Sequence, residues 1–76
     1  MPNEYSINLT WDNEASVWIA TSDDVFGLIL EDESIDVLMY RVRHAVPELL
    51  AFDSPVAEDI SFDFIARRKE RLAISG

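Results

Sequence analysis

Two consecutive runs of strict alternation constrain this chain more than any other feature. Tyr5, Ile7, Leu9 and Trp11 are apolar, and Ser6, Asn8 and Thr10 between them are polar. That period of two belongs to a strand with one face on a core. Asp12-Asn13-Glu14-Ala15 supplies a polar reversal, after which Val17, Ile19 and Thr21 alternate with Ser16, Trp18 and Ala20. Two such runs around a short polar turn predict an antiparallel hairpin. A helix can cover only one face of a sheet, and the expected covered face carries Ile7, Leu9, Val17 and Ile19. Trp18 then falls on the uncovered face, where an aromatic can anchor a partner.

The segment after the hairpin extends it. Ser22-Asp23-Asp24 breaks the apolar pattern, and Gly27 suits a turn that needs positive φ or close backbone approach. Leu28-Ile29-Leu30 is the expected third strand of a meander, ending in Glu31-Asp32-Glu33, carboxylates that cannot all be buried. Ser34 is placed as a helix N-cap with this acidic cluster near the positive end of the helix dipole. Ile35, Leu38, Met39, Val42, Val46, Leu49 and Leu50 recur at spacings of three and four, one helical stripe. Pro47 lacks an N–H and conflicts with the carbonyl four residues back, so a kink or restart is expected near Val46. Asp53-Ser54-Pro55 is expected to end the helical region.

Ile60, Phe62 and Phe64 alternate with Ser61 and Asp63, a fourth strand with its phenylalanines in the core. Ala66, Leu72 and Ile74 continue the even-numbered alternation past the charged run Arg67 to Arg71; with no capping residue or glycine to mark a change of element, the tail is read as strand in preference to a short helix. The expected class is α+β in the order β-β-β-α-β. It forms a single domain over residues 1–76, with a core at about 5–66 and a tail over 67–76.

Charge and size bear on what such a domain does. At 76 residues there is room for one modest core, and no cysteine is present to reinforce it. Oligomerisation is the remaining device for a small scaffold, so a homodimer is expected. The Phe62–Ile74 region, with Phe62, Phe64, Ile65, Arg67, Arg68, Leu72 and Ile74, is its candidate interface. The net charge is −9, and nine carboxylates precede the first basic residue, Arg41. Such a field disfavours direct nucleic-acid binding and favours basic partners. The first residues form no basic-then-apolar leader and no apolar run approaches a membrane span, so cytoplasm is the expected compartment.

No catalytic constellation, cofactor motif or metal-ligand spacing is visible. His44 is the single histidine, and the two glycines form no phosphate loop. Asp12, Glu14, Asp23, Asp24, Glu31 and Asp32 lie at strand ends, where turn chemistry selects Asp without any metal.

The string Trp11-Asp12-Asn13-Glu14-Ala15-Ser16-Val17-Trp18-Ile19-Ala20-Thr21-Ser22-Asp23-Asp24 resembles the HicB-like antitoxin superfamily. It is most similar to a branch of short stand-alone proteins of unknown function that pair this hairpin with a helix ending as Val46-Pro47-Glu48-Leu49-Leu50 does here. Phe26 departs from the superfamily, which commonly has proline before the glycine. The resemblance implies a truncated ribonuclease-H-like fold with the fourth strand beside the first. It also implies a non-enzymatic module that masks a small basic RNA-cleaving toxin, HicA. Full antitoxins carry a DNA-binding domain that this sequence does not show, so partner masking without autorepression is expected. The expected partner surface is Trp18 with the acidic rim of Asp23, Asp24, Glu31, Asp32 and Glu33. A homodimer without a toxin, or a residual metal-dependent nuclease, are the alternatives.

Overall fold

The computed structural model describes residues 4–51 and 59–74. The alternating runs form strands β1 (Glu4–Asp12) and β2 (Val17–Thr21), followed by β3 (Ile29–Asp32), helix α1 (Ile35–Leu50) and β4 (Ser61–Arg67). One sheet holds all four strands in the order β3-β2-β1-β4. β1 pairs antiparallel with β2 and parallel with β4, and β2 pairs antiparallel with β3. The class is α+β, and the fourth strand lies beside the first.

The register corrects the expected faces. Leu9 pairs with Ala20 and Trp11 with Trp18, and directly opposed residues share a face. Odd positions of β1 therefore face the helix together with even positions of β2, not odd ones. The reason is the turn. Asp12 pairs with Val17 across four residues, Asn13–Ser16, and an even number of turn residues reverses the parity between the strands. Shifting register by one moves every side chain to the other face. Val17 and Ile19 lie on the open face. Trp18, expected there, lies on the helix side, with its ring edge-on to Trp11 at a centroid distance of 5.5 Å.

Asp12 builds this turn by accepting from the backbone N–H groups of Glu14 and Ala15 at 2.9 and 3.3 Å, the local bonding that selects Asp in turns. Ser16 closes it with φ 54°. The next loop turns at Gly27, φ 86°, with Leu28 N donating to the Val25 carbonyl at 3.3 Å. Phe26 occupies the second position of that turn, where proline is favoured, and the turn forms without it. A Cβ at Gly27 would meet only Leu49 Cδ2 at 3.9 Å, so a side chain fits and only the backbone objects. Gly27→Ala is expected to cost about 1–2 kcal/mol, the penalty of left-handed φ for an L-residue. Ser16→Gly is expected to gain about 0.5–1 kcal/mol for the same reason. Opposite shifts in urea midpoint at unchanged slope would verify both.

The third strand starts one residue later than expected and carries the carboxylates of Glu31 and Asp32 within it. Leu28 is instead a loop residue buried with Val25. Ser34 caps α1, its hydroxyl accepting from Val37 N at 3.3 Å. Leu38, Val42 and Val46 are buried along the expected stripe, with Ile35, Met39, Leu49 and Leu50 packed against the core. Their counterparts on the sheet are Ile7, Leu9 and Ala20, with Tyr5, Leu30, Phe62 and Phe64 around them.

α1 runs through Pro47 without a restart. Pro47 has no N–H, so the bond from residue 47 to the Arg43 carbonyl is missing. The following turn is closed by Ala51 N donating to the Pro47 carbonyl at 3.1 Å. The expected stop at Asp53-Ser54-Pro55 lies outside the described residues. Strand structure ends at Arg67, so the reading of the tail as strand is corrected for 68–74, which carry no regular structure. No helix among the described residues is long and apolar enough to cross a membrane.

Candidate functional site

With α1 on one face, no helix or strand among the described residues covers the other face of the sheet. Register places Val17, Ile19 and Thr21 of β2 there, with Ile29 of β3 and Ile65 of β4. Ile29 is 74% exposed and Ile65 49%. The polar positions of β1, Ser6, Asn8 and Thr10, separate the two apolar flanks. A hollow of about 670 Å³ opens between Asn8, Thr10, Thr21, Ile65 and Arg67. By the same parity Glu4, Asp12, Glu31 and Asp63 project from this face, against one cation, Arg67. The face is therefore apolar in patches and acidic at its margins.

The expected rim residues separate into two kinds. Asp23, Glu31 and Glu33 are exposed, and among the described residues their side chains hold no hydrogen bond. Asp24 has a structural role. Its Oδ2 accepts from Ser6 N at 2.8 Å, while Ser22 Oγ donates to the Ser6 carbonyl at 2.6 Å. These side chains continue the β1 ladder beyond the end of β2. Asp32 is on the helix side, accepting from Ser34 N at 2.9 Å and lying 3.5 Å from Arg41 Nη1. Arg41 also donates to the Glu31 carbonyl at 2.8 Å, occupying that backbone acceptor on β3.

Trp18 belongs to an aromatic corner of the hydrophobic layer. Arg68 lies over the Trp11 ring at 4.1 Å and near Trp18 at 5.9 Å, within reach of a cation–π attraction. Its guanidinium also meets Glu70 at 2.9 Å. Asn13 Nδ2 donates to the Lys69 carbonyl at 3.3 Å, tying the start of the tail to the hairpin turn. Of the expected interface residues, Phe62 and Phe64 face the helix, Ile65 and Arg67 the open side, and Leu72 and Ile74 are each 82% exposed.

The carboxylates do not converge. Among the described residues no group of three His, Asp or Glu side chains is placed to hold one metal ion. His44 is exposed and packs against Tyr40 with ring centroids 4.4 Å apart and planes inclined by 56°, both lining a shallow cleft between α1 and β3. Phe26, which the sequence marks only as a departure before Gly27, is 96% exposed at the tip of the β2–β3 loop. Its signal was an aromatic at a turn position that the fold does not need.

A family model described as a domain of unknown function, DUF1902, matches residues 4–75. No functionally curated protein matches. Among solved structures, a hypothetical protein from the extremely thermophilic bacterium Thermus thermophilus is similar at 32% identity and a TM-score of 0.67. The match covers 93% of this chain and 99% of that one.

Proposed function

Since the chain belongs to the DUF1902 family, a domain of unknown function, we propose its role from its surface and from the HicB-like resemblance of its hairpin. The domain is a non-enzymatic protein-binding module of the cytoplasm, antitoxin-like, that covers a basic RNA-cleaving partner of the HicA kind. The observation that carries this reading is the open face, where Ile29 and Ile65 are exposed and the carboxylates of Glu4, Asp12, Glu31 and Asp63 outnumber Arg67. An apolar patch with a charged margin is the usual make-up of a protein contact. The acidic margin selects a partner of opposite sign and speeds encounter, while apolar anchors set the lifetime of the complex. Trp18 is on the other side of the sheet, so the anchor role passes to Ile29, with Val17 and Ile19 beside it.

The test titrates a HicA-like product of the adjacent gene at two salt concentrations. Charge reversal at Glu31 is expected to slow association and flatten its salt dependence. Ile29→Ala is expected to speed dissociation by about tenfold, the effect of a modest hot spot. Asp24 is unsuitable for this purpose, because reversing it also removes the partner of Ser6 N. If such a neighbour fails to bind even at low salt, the antitoxin reading falls and a homodimer without a toxin replaces it.

A further inference from the structure

β4 is the outer strand beside β1, and its open side exposes a row of backbone groups to pairing. The opposite edge, β3, already has its Glu31 carbonyl occupied by Arg41. What distinguishes β4 is its charge order. Reading the odd-numbered positions outward from Ile65, Asp63 and Arg67 stand on either side within β4, then Ser61 and Lys69, then Asp59 and Arg71, with 59, 69 and 71 lying beyond the strand in the single chain. The row is acidic before Ile65 and basic after it.

These charges do not satisfy one another within one chain. Asp63 and Arg67 are four residues apart on a strand, roughly 13 Å at 3.3 Å per residue. Among the described residues neither has an ion-pair partner. An antiparallel copy supplies one. A two-fold axis perpendicular to the sheet keeps each residue on its own face, so opposed positions must sum to an even number. With the axis at Ile65, Ile65 meets Ile65 of the second copy, Asp63 meets Arg67 in both directions, and Asp59 meets Arg71 in both directions. On the helix side Phe64 then meets Ala66, large against small. Moving the axis to a neighbouring residue sets Ile65 against Asp63 or Arg67. Moving it two residues sets Asp63 on Asp63 or Arg67 on Arg67. Like charges directly opposed are unfavourable, which disfavours the two-residue shifts, and only the axis at Ile65 both sets Ile65 against itself and pairs Asp63 with Arg67.

We infer that two copies of this chain join β4 to β4 antiparallel about Ile65, with reciprocal Asp63–Arg67 pairs fixing the register and a continuous eight-stranded sheet as the product. The dimer also gives the tail a ladder. Residues 68–71, exposed and without regular structure in the single chain, run opposite 59–62 of the second copy. Their alternation continues the strand pattern because a strand is what they form there. The open faces of both copies become one surface.

Sedimentation equilibrium of four samples tests the pairing. Wild type is expected to be dimeric at micromolar concentration. Asp63→Arg and Arg67→Asp each set two like-charge pairs across the axis and should weaken self-association on the order of a hundredfold. An equimolar mixture of the two restores both pairs in the heterodimer, and it should associate as wild type does. A single chain carrying both changes should dimerise as well. The two positions are exposed, and recovery in the mixture excludes misfolding as the cause of the loss. Monomeric wild type, single variants that dimerise undiminished, or a mixture that stays monomeric would each overturn the inference.

Discussion

Leu38→Ala and Val42→Ala are each expected to lower stability by about 2–5 kcal/mol, the range for truncating a fully buried aliphatic. Both side chains are completely buried, on consecutive turns of α1 against Ile7, Leu9 and Ala20. The core is small. Eight apolar residues are buried among those described, and a domain of this length has a stability near the low end of roughly 5–15 kcal/mol. Either truncation therefore removes a large share of the total. The neighbouring stripe position Met39 is only partly buried, so Met39→Ala should cost less. Urea unfolding at unchanged slope measures the three in order. Unchanged midpoints for Leu38→Ala and Val42→Ala would mean that the helix does not lie on the sheet by this stripe.

Trp18→Ala is the second change with a large expected effect, and its size tests the reversed faces. Trp18 packs against the core and edge-on to Trp11, with Arg68 over the pair. Removing it strips apolar area from the hydrophobic layer, ends an aromatic pair and leaves the guanidinium one ring. Partial burial puts the expected loss at about 2–3 kcal/mol, somewhat below the value for a fully buried tryptophan. Ile29→Ala on the open face should stay within about 0.5 kcal/mol, as surface substitutions usually do. The same two variants should separate in binding. Ile29→Ala weakens a partner held on the open face, whereas Trp18→Ala acts through stability. A Trp18→Ala protein as stable as wild type would return Trp18 to the exposed side and undo the parity argument.

The candidate site was legible in composition but not in placement. An acidic first half and a basic run at Arg67–Arg71 are plain in the chain, and they already argue for a basic partner or a second copy. Asp23, Asp24, Glu31, Asp32 and Glu33 read alike in sequence. In the fold they diverge, because Asp24 replaces a missing strand residue beside Ser6 and Asp32 turns toward Ser34 and Arg41. A carboxylate's use depends on which backbone groups the neighbouring strand leaves unpaired, and that is settled only after pairing. The charge order about Ile65 was equally present in the sequence. It acquires meaning only when β4 proves to be an edge.

By itself the sequence determined the elements and their order. Period two in β1, the three-and-four spacing of Leu38, Val42 and Val46, and the Ser34 cap are local signals, encoded by residues within a turn or two of one another. Tertiary structure decided which face β2 turned inward and where β4 ended. The facing of β2 hung on a four-residue turn with Ser16 at positive φ, since one residue more or fewer exchanges Trp18 for Ile19 against the helix. The end of β4 at Arg67 depended on a partner strand: β1 pairs with it as far as Thr10. Alternation in a chain states that a strand is possible, and hydrogen-bonding neighbours decide whether it forms.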